Sequence, residues 1–135
     1  MKRSVFVLAL LFSISALAIG GCGRDLTTAR GVVEEFLDHH YVHIDLEKAQ
    51  QYCVGLALHK IKEEIRLTHG YAIDASTRKP KIYYQLLEEK VTTARASFLY
   101  QATIQAEDAP EFTRRWLIGA RKEDEQWWIS NFKEY

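Results

Sequence analysis

The spacing of apolar residues changes once along the chain, and this change constrains the fold more than any other feature. Between residues 29 and 65, apolar side chains recur every three or four positions, which is typical of amphipathic helices. After Pro80 the period becomes two, and from Ala94 to Ile104 small, aromatic and aliphatic residues alternate with mostly polar ones. We therefore predict an α+β fold in which N-terminal helices cover one face of a curved antiparallel sheet.

Three helices are predicted in the first half of the chain, and the apolar stripe of the first continues to Ile44. The third has Leu58, Ile61 and Ile65 on its apolar face, and Glu64 is among the residues expected to face water.

Either Asp25 or Thr28 can cap the first helix, because a side-chain oxygen there can accept from a free backbone N–H. Asp45 is the expected cap of the second helix, and Gly55 is expected to end it. Gly70 then ends the third helix.

Four antiparallel strands are predicted in the second half. Residues 82–91 suit both a helix and a strand, and we predict a strand there. The following strands cover 94–105 and 112–121, with a turn at Pro110 between them. The last strand covers 127–132.

The turn before the last strand decides which aromatic side chains enter the core. A four-residue turn at Glu123 to Gln126 sets Ala120 opposite Ile129 and Lys122 opposite Trp127. Trp127 and Ile129 then point inward beside Trp116 and Ile118, whereas a turn shorter by one residue would bring in Trp128 instead.

The first 22 residues have the architecture of a secretory signal. A basic start at Lys2 and Arg3 precedes an apolar run from Val5 to Ile19, which is shorter than the ~20 residues that a membrane-spanning helix needs. The ending Ile19-Gly20-Gly21-Cys22 resembles the bacterial lipoprotein signal. The resemblance implies cleavage before Cys22 and lipidation of its thiol, as a diacylglycerol cysteine that also carries palmitate.

The lipoprotein resemblance divides the chain into a signal peptide at 1–21, a lipidated tether at 22–27 and one domain at 28–135. It places the domain in a bacterial cell envelope, where Gly23 in place of an aspartate favours the outer membrane over the inner membrane. Cys53 is the one cysteine left after lipidation, so no intramolecular disulfide can form, and we expect a buried apolar role for it.

The charge of the domain is nearly balanced. The 18 lysines and arginines include Lys2 and Arg3, so 16 lie after the leader, against 18 aspartates and glutamates. Because the domain has neither a basic excess nor a Lys/Arg cluster in its sequence, we expect no nucleic-acid partner.

Three segments resemble the nuclear transport factor two-like (NTF2-like), or cystatin-like, superfamily: DLEKA at 45–49, KVTTARA at 90–96 and KEDEQWWI at 122–129. The chain departs from that pattern at Glu125, where a turn glycine is usual. The resemblance implies a conical cavity between the first helix and the concave face of the sheet. Members use it for hydrolysis, isomerisation, dehydration or binding alone, so the fold does not determine the function.

A polar site is predicted at the mouth of this cavity. His40 lies at the centre of the apolar stripe of the first helix, and Tyr100 and Arg114 lie on the inward face of the sheet. A histidine beside a carboxylate can act as a general base, but no acidic residue occupies a clear inward position. We therefore expect His40 to be a core or ligand-binding residue. The alternative is a cavity enzyme of isomerase, dehydratase or hydrolase type, with His40 as its acid or base.

A metal site is not expected. His39 and His43 are one helical turn apart and could share a metal, but the sequence suggests no third ligand and contains no HExxH motif. No cofactor is predicted either.

The outer face of the sheet is predicted to carry apolar residues among arginines. These are Leu99, Leu117 and Trp128, among Arg95, Arg115 and Arg121. An apolar centre with a polar rim is typical of an interface, and the superfamily resemblance implies that dimers form through this face. We expect a non-catalytic envelope domain that binds a protein partner, a second copy or a small apolar ligand. A structural accessory of an envelope complex is a further alternative.

Overall fold

A computed structural model describes residues 23–71 and 78–135. The predicted signal peptide and Cys22, and residues 74–77 of the predicted loop, lie outside the described residues. Among the described residues, no helix combines the length and apolar character required to cross a bilayer.

Three α-helices pack on one face of a four-stranded antiparallel sheet, which confirms the predicted α+β architecture. The strands are hydrogen-bonded in chain order, so β1 and β4 are the outer strands of the sheet. The helices are α1 (Ala29–Leu37), α2 (Leu46–Gln50) and α3 (Gly55–Thr68), and the strands are β1 (Lys81–Val91), β2 (Arg95–Gln105), β3 (Phe112–Glu123) and β4 (Gln126–Glu134).

The first helix is shorter than its apolar stripe suggested. Thr28 is its cap and accepts from the Gly31 backbone N–H at 3.0 Å. We predicted that the helix would continue to Ile44, but it ends at Leu37 and passes into a π-helical segment, Asp38–Val42. Tyr41 and Ile44 continue the three- and four-residue spacing of α1, so the sequence did not reveal the change.

The predicted cap of α2 is confirmed, since the Asp45 carboxylate accepts from the Lys48 N–H at 3.1 Å. Gly55 lies at the start of α3, with a φ of 56°, rather than at the end of α2. Between these helices, Cys53 forms a bridge with Ile129, and the Val54 N–H donates to the Ile129 carbonyl at 2.9 Å. This pairing covers part of the exposed edge of β4.

The predicted strand at residues 82–91 is confirmed as β1, which contains a bulge between Leu86 and Glu88. In β2, every second side chain is buried from Ala96 to Ala102, as the period of two predicted. The two faces of the sheet are therefore distinct, with one against the helices and the other uncovered by them.

The register of the last hairpin is also as predicted. Lys122 lies opposite Trp127 and Ala120 lies opposite Ile129. Trp127 and Ile129 are buried.

Aromatic side chains fill the space between the helices and the sheet. Phe36, Phe98, Tyr100 and Trp116 are fully buried there. Tyr41 stacks on Trp116, with ring centroids 4.0 Å apart and planes inclined by 12°. The family resemblance implied a conical cavity at this place. These side chains fill its centre, which is therefore a packed core.

Candidate functional site

The most unusual polar pair in the core joins the π-helical segment to α3. The Nε2 atom of His40 lies 2.6 Å from a carboxylate oxygen of Glu64, and His40 is 8% exposed. The rings of Phe36 and Phe132 lie against the imidazole, with centroids 5.2 and 5.0 Å away. A π-helical turn often marks a functional site, so this pair is the first candidate for chemistry.

Sequence reasoning missed Glu64 as the partner of His40. We assigned Glu64 to the solvent-facing side of α3, and its side chain is indeed 37% exposed. It lies three positions after the buried Ile61, however, which places it at the border of the apolar stripe. From that border its carboxylate reaches His40 in the π-helical segment.

The free nitrogen of His40 is poorly placed for catalysis. Among the described residues, Nδ1 of His40 has no hydrogen-bond partner, and it is shielded from solvent. An unpaired buried polar atom of this kind costs on the order of 1–3 kcal/mol. A general base must reach the proton that it removes, and in this arrangement only the Glu64 carboxylate is accessible.

Two open grooves flank the His40–Glu64 pair. The first has a volume of about 410 Å³ and the second about 350 Å³, which is the lower range of small-ligand sites. Ile44 borders the second groove with a φ of 55°, a strained conformation for a β-branched residue. The first groove is lined by His40, Tyr41, Lys60, Glu64, Phe132, Lys133 and Glu134, and the second by His40, Tyr41, Ile44, Leu46, Glu64, Leu67 and Thr68.

The other two predicted site residues do not bond to His40. The Tyr100 hydroxyl donates to a Glu34 oxygen at 3.3 Å, and burial, followed by the nearby Glu34 charge, raises the pKa of Tyr100. The Arg114 side chain is 48% exposed and lies 3.9 Å from Glu134, with its guanidinium 5.1 Å from the Phe112 ring. The three residues therefore belong to different parts of the inward face.

A second polar cluster surrounds Arg24. Its guanidinium lies 2.5 Å from Asp38 and 3.2 Å from Glu35, and it donates to the Tyr84 hydroxyl at 3.1 Å. Glu34 is 3.5 Å away. Partial burial opposes the charge of Arg24, but the bond to Asp38 and the other acidic neighbours raise the pKa of the guanidinium. We call these five residues the Arg24 cluster. The sequence did not reveal it, because Arg24 falls in the segment expected to be a tether.

The outer face of the sheet carries the predicted apolar residues. Leu99 lies directly opposite Leu117, and Trp128 lies opposite Arg121. All three apolar side chains are half-buried. Arg95 is paired with Arg121 across β2 and β3, an opposition of like charges that is unfavourable in an isolated sheet.

The remaining candidates have structural contacts. His39 lies 3.2 Å from Glu35 and stacks on Tyr52, and its ring centroid is 6.4 Å from that of His43. Among residues 23–71 and 78–135, no group of three or more His, Cys, Asp or Glu could hold a metal ion. Cys53 is buried, and burial raises the pKa of its thiol to about 12.

Comparison with known proteins identifies the fold. No protein-family model and no curated protein matches the sequence. A designed NTF2-like protein is similar in structure, with a TM-score of 0.57 and 17% identity over 79% of this chain and 96% of that chain. The chain has an NTF2-like fold.

A natural protein shares this architecture. The solution structure of a SEC-C motif containing protein from Rhodopseudomonas palustris matches with a TM-score of 0.59 and 11% identity, over 82% of this chain and 80% of that chain. At such identities the likeness shows the fold alone. An NTF2-like fold is consistent with a binding or interaction domain.

Proposed function

We propose that this protein is a lipid-anchored cell-envelope domain that binds a protein partner through the outer face of its sheet and catalyses no reaction. The observation that carries the proposal is the pair formed by Leu99 and Leu117 on the face that the helices leave uncovered. Trp128 lies on the same face, opposite Arg121, four positions along β3 from Leu117. An apolar centre inside a charged rim is the usual composition of a protein interface.

The interior supports binding without catalysis. Tyr41, Trp116 and Tyr100 occupy the space that an NTF2-like enzyme would need for its substrate. The free nitrogen of His40 is also shielded, so the His40–Glu64 pair suits packing better than proton transfer.

The charges on the outer face favour an acidic partner over a second copy of this chain. Two copies would bring these basic groups together, and like charges at an interface cost several kcal/mol. The basic residues on this face include Lys81, Lys90, Arg95, Arg115, Arg121 and Lys133, and the acidic ones include Glu88 and Glu123.

The anchor is supported by sequence. The series Ile19-Gly20-Gly21-Cys22 resembles a lipoprotein signal, and the attached acyl chains would hold the domain stably at a membrane. The outer membrane is the favoured location, because Gly23 stands where an aspartate would favour the inner membrane.

A second candidate function is the capture of a small apolar ligand. It is favoured by the groove of about 350 Å³ beside His40, which Leu46 and Leu67 line and which the strained Ile44 borders. Strain in a β-branched residue is often retained where it shapes a binding site.

The variant Leu117→Arg tests the proposed interface. Place a photo-crosslinking residue at Gln101, on the outer face, in the full chain in its native membrane. We expect a defined crosslinked product that Leu117→Arg reduces at least tenfold. The matched control Leu56→Arg makes the same substitution at an exposed leucine of α3, on the helical side, and should leave the product unchanged.

Sedimentation of the domain from Gly23 to Tyr135 separates the two kinds of partner. A concentration-dependent dimer that Leu117→Arg abolishes would show that the partner is a second copy. A monomer whose crosslinked product contains another protein supports the heteromeric contact. Equal crosslinking of the wild type, Leu117→Arg and Leu56→Arg would refute the interface.

A further inference from the structure

The start of the described chain is fastened to the folded domain by side chains. Arg24 lies two positions after Cys22 and makes contacts to Glu35 and Asp38 near the end of α1. It also donates to the hydroxyl of Tyr84 in β1. One guanidinium thus joins the chain start to a helix and to the sheet.

The backbone after Arg24 is fastened as well. The Asp25 carbonyl accepts from the Thr28 N–H at 3.2 Å and from the Thr28 hydroxyl at 2.9 Å. Gly31 in α1 approaches this carbonyl so closely that an added Cβ would overlap it. Residues 24–28 therefore pack as part of the domain, and a glycine at position 31 is required for that packing.

We propose that Arg24 is a clamp that seats the domain directly on the membrane, with the side formed by α1 and β1 against the lipid headgroups and the outer face of the sheet turned away. This inference rests on the proposed lipid anchor at Cys22. The partner of the α1–β1 side is a lipid surface, and the outer face stays open for a protein.

The short distance to the anchor gives the clamp its effect. Two residues span at most about 7 Å when extended, so the Cα atom of a lipidated Cys22 lies within about that distance of the Cα atom of Arg24. The helical layer lies about 10 Å from the sheet, and the outer face lies beyond it. A closed clamp thus prevents the outer face from lying on the same membrane. Leu26, two positions after Arg24 in the chain, is 44% exposed and is the apolar side chain that we expect to meet the headgroups.

The chemistry of the clamp makes it sensitive to salt. The Arg24 side chain is 31% exposed, and those of Glu35 and Asp38 are 27% and 24% exposed. Partly exposed ion pairs are screened by added salt, whereas a buried apolar contact is not. The clamp should open in concentrated NaCl while the domain stays folded.

Trypsin tests the clamp, because it cleaves after Arg24. Treat the full chain in its native membrane and follow the fragment that begins at Asp25 by mass spectrometry. We expect the double variant Glu35→Gln, Asp38→Asn to be cleaved at least tenfold faster than the wild type. We also expect the wild type to be cleaved faster in 0.5 M NaCl than at low salt. The control Glu63→Gln removes an exposed pair with Arg66 and should leave the rate unchanged. Equal rates in the wild type and the double variant would overturn the clamp.

Spin labels test the orientation. Attach them at Leu26→Cys and at Thr113→Cys of the full chain, and add a relaxation agent chelated to lipid headgroups. The label at position 26 should relax strongly and the label at position 113 weakly, and the difference should shrink in the double variant. Equal relaxation at both positions in the wild type would refute the proposed orientation.

The Cys22→Ser chain separates failure of the clamp from failure of the anchor. If neither the wild-type chain nor Cys22→Ser carries lipid and both are cleaved slowly after Arg24, the clamp stands and the anchor is refuted. Fast cleavage of a lipidated wild-type chain would refute the clamp and leave the anchor standing.

Discussion

Asp124 and Glu125 occupy turn positions at which the backbone favours glycine. Their φ angles are 50° and 63°, in the left-handed region. A two-residue turn with two positive φ values matches the twist of a hairpin, which explains its adoption here despite a cost of roughly 1–2 kcal/mol for each ordinary residue. Burial of the strand residues on either side, Ala120, Trp127 and Ile129, offsets that cost.

Glu125→Gly should therefore stabilise the domain. We expect the free energy of unfolding to rise by about 0.5–1 kcal/mol, because glycine adopts this φ without steric cost and the Glu125 side chain is 93% exposed. Urea unfolding of the domain from Gly23 measures the change. Glu123→Gly, at the end of β3, is the matched control and should destabilise instead. A loss of stability in both variants would show that the turn is not strained.

At the scale of the elements, the β3–β4 hairpin shows how a turn length determines a core. Because side chains alternate between the faces, the pairing of Lys122 with Trp127 places Trp127 inward and Trp128 outward. Trp127 is 7% exposed, whereas Trp128 is half-buried on the outer face.

Trp127→Ala should cost about 3–5 kcal/mol of stability, the usual range for a large buried aromatic residue. Trp128→Ala is the matched control, and we expect a clearly smaller loss because its side chain has neighbours on one side only. Chemical denaturation monitored by circular dichroism gives both values. A loss below about 1 kcal/mol for Trp127→Ala would mean that the register is reversed.

The π-helical segment is the element that sequence reasoning could not supply. Tyr41 and Ile44 continue the three- and four-residue spacing of α1, so the pattern predicted one helix. The backbone widens where His40 packs between Phe36 and Phe132 and meets Glu64 from α3. These contacts come from other elements, and a local pattern carries no information about them.

At the scale of the whole molecule, the domain has two unlike sides. The helical side holds the Arg24 cluster close to the proposed anchor, and the opposite side holds Leu99 and Leu117 in a basic surrounding. The proposed anchor on one side and the proposed binding surface on the other would suit a protein that presents a partner site away from a membrane.

Cys22→Ser should abolish lipidation without unfolding the domain, because the acyl chains act on the chain start and not on the core. We expect loss of radiolabelled palmitate and either an uncleaved precursor or a soluble protein in cell fractionation. Cys53→Ser is the matched control, since it should keep the label and the membrane location. A Cys22→Ser chain that stays membrane-bound with its precursor fully cleaved would contradict the lipoprotein assignment.

The sequence by itself determined the order of the α-helices and strands, and which side chains of β2 and of the last hairpin point inward. Periods of about 3.6 and of two depend on residues that are close in the chain, so the α+β order, the strand at 82–91 and the inward position of Trp127 could be predicted. The tertiary structure alone decided the polar pairings. His40 and Glu64 are 24 positions apart, and Arg24 and Tyr84 are 60 apart. Such contacts depend on how each helix is rotated against the sheet, and periodicity does not specify that rotation closely enough to join one side chain to another.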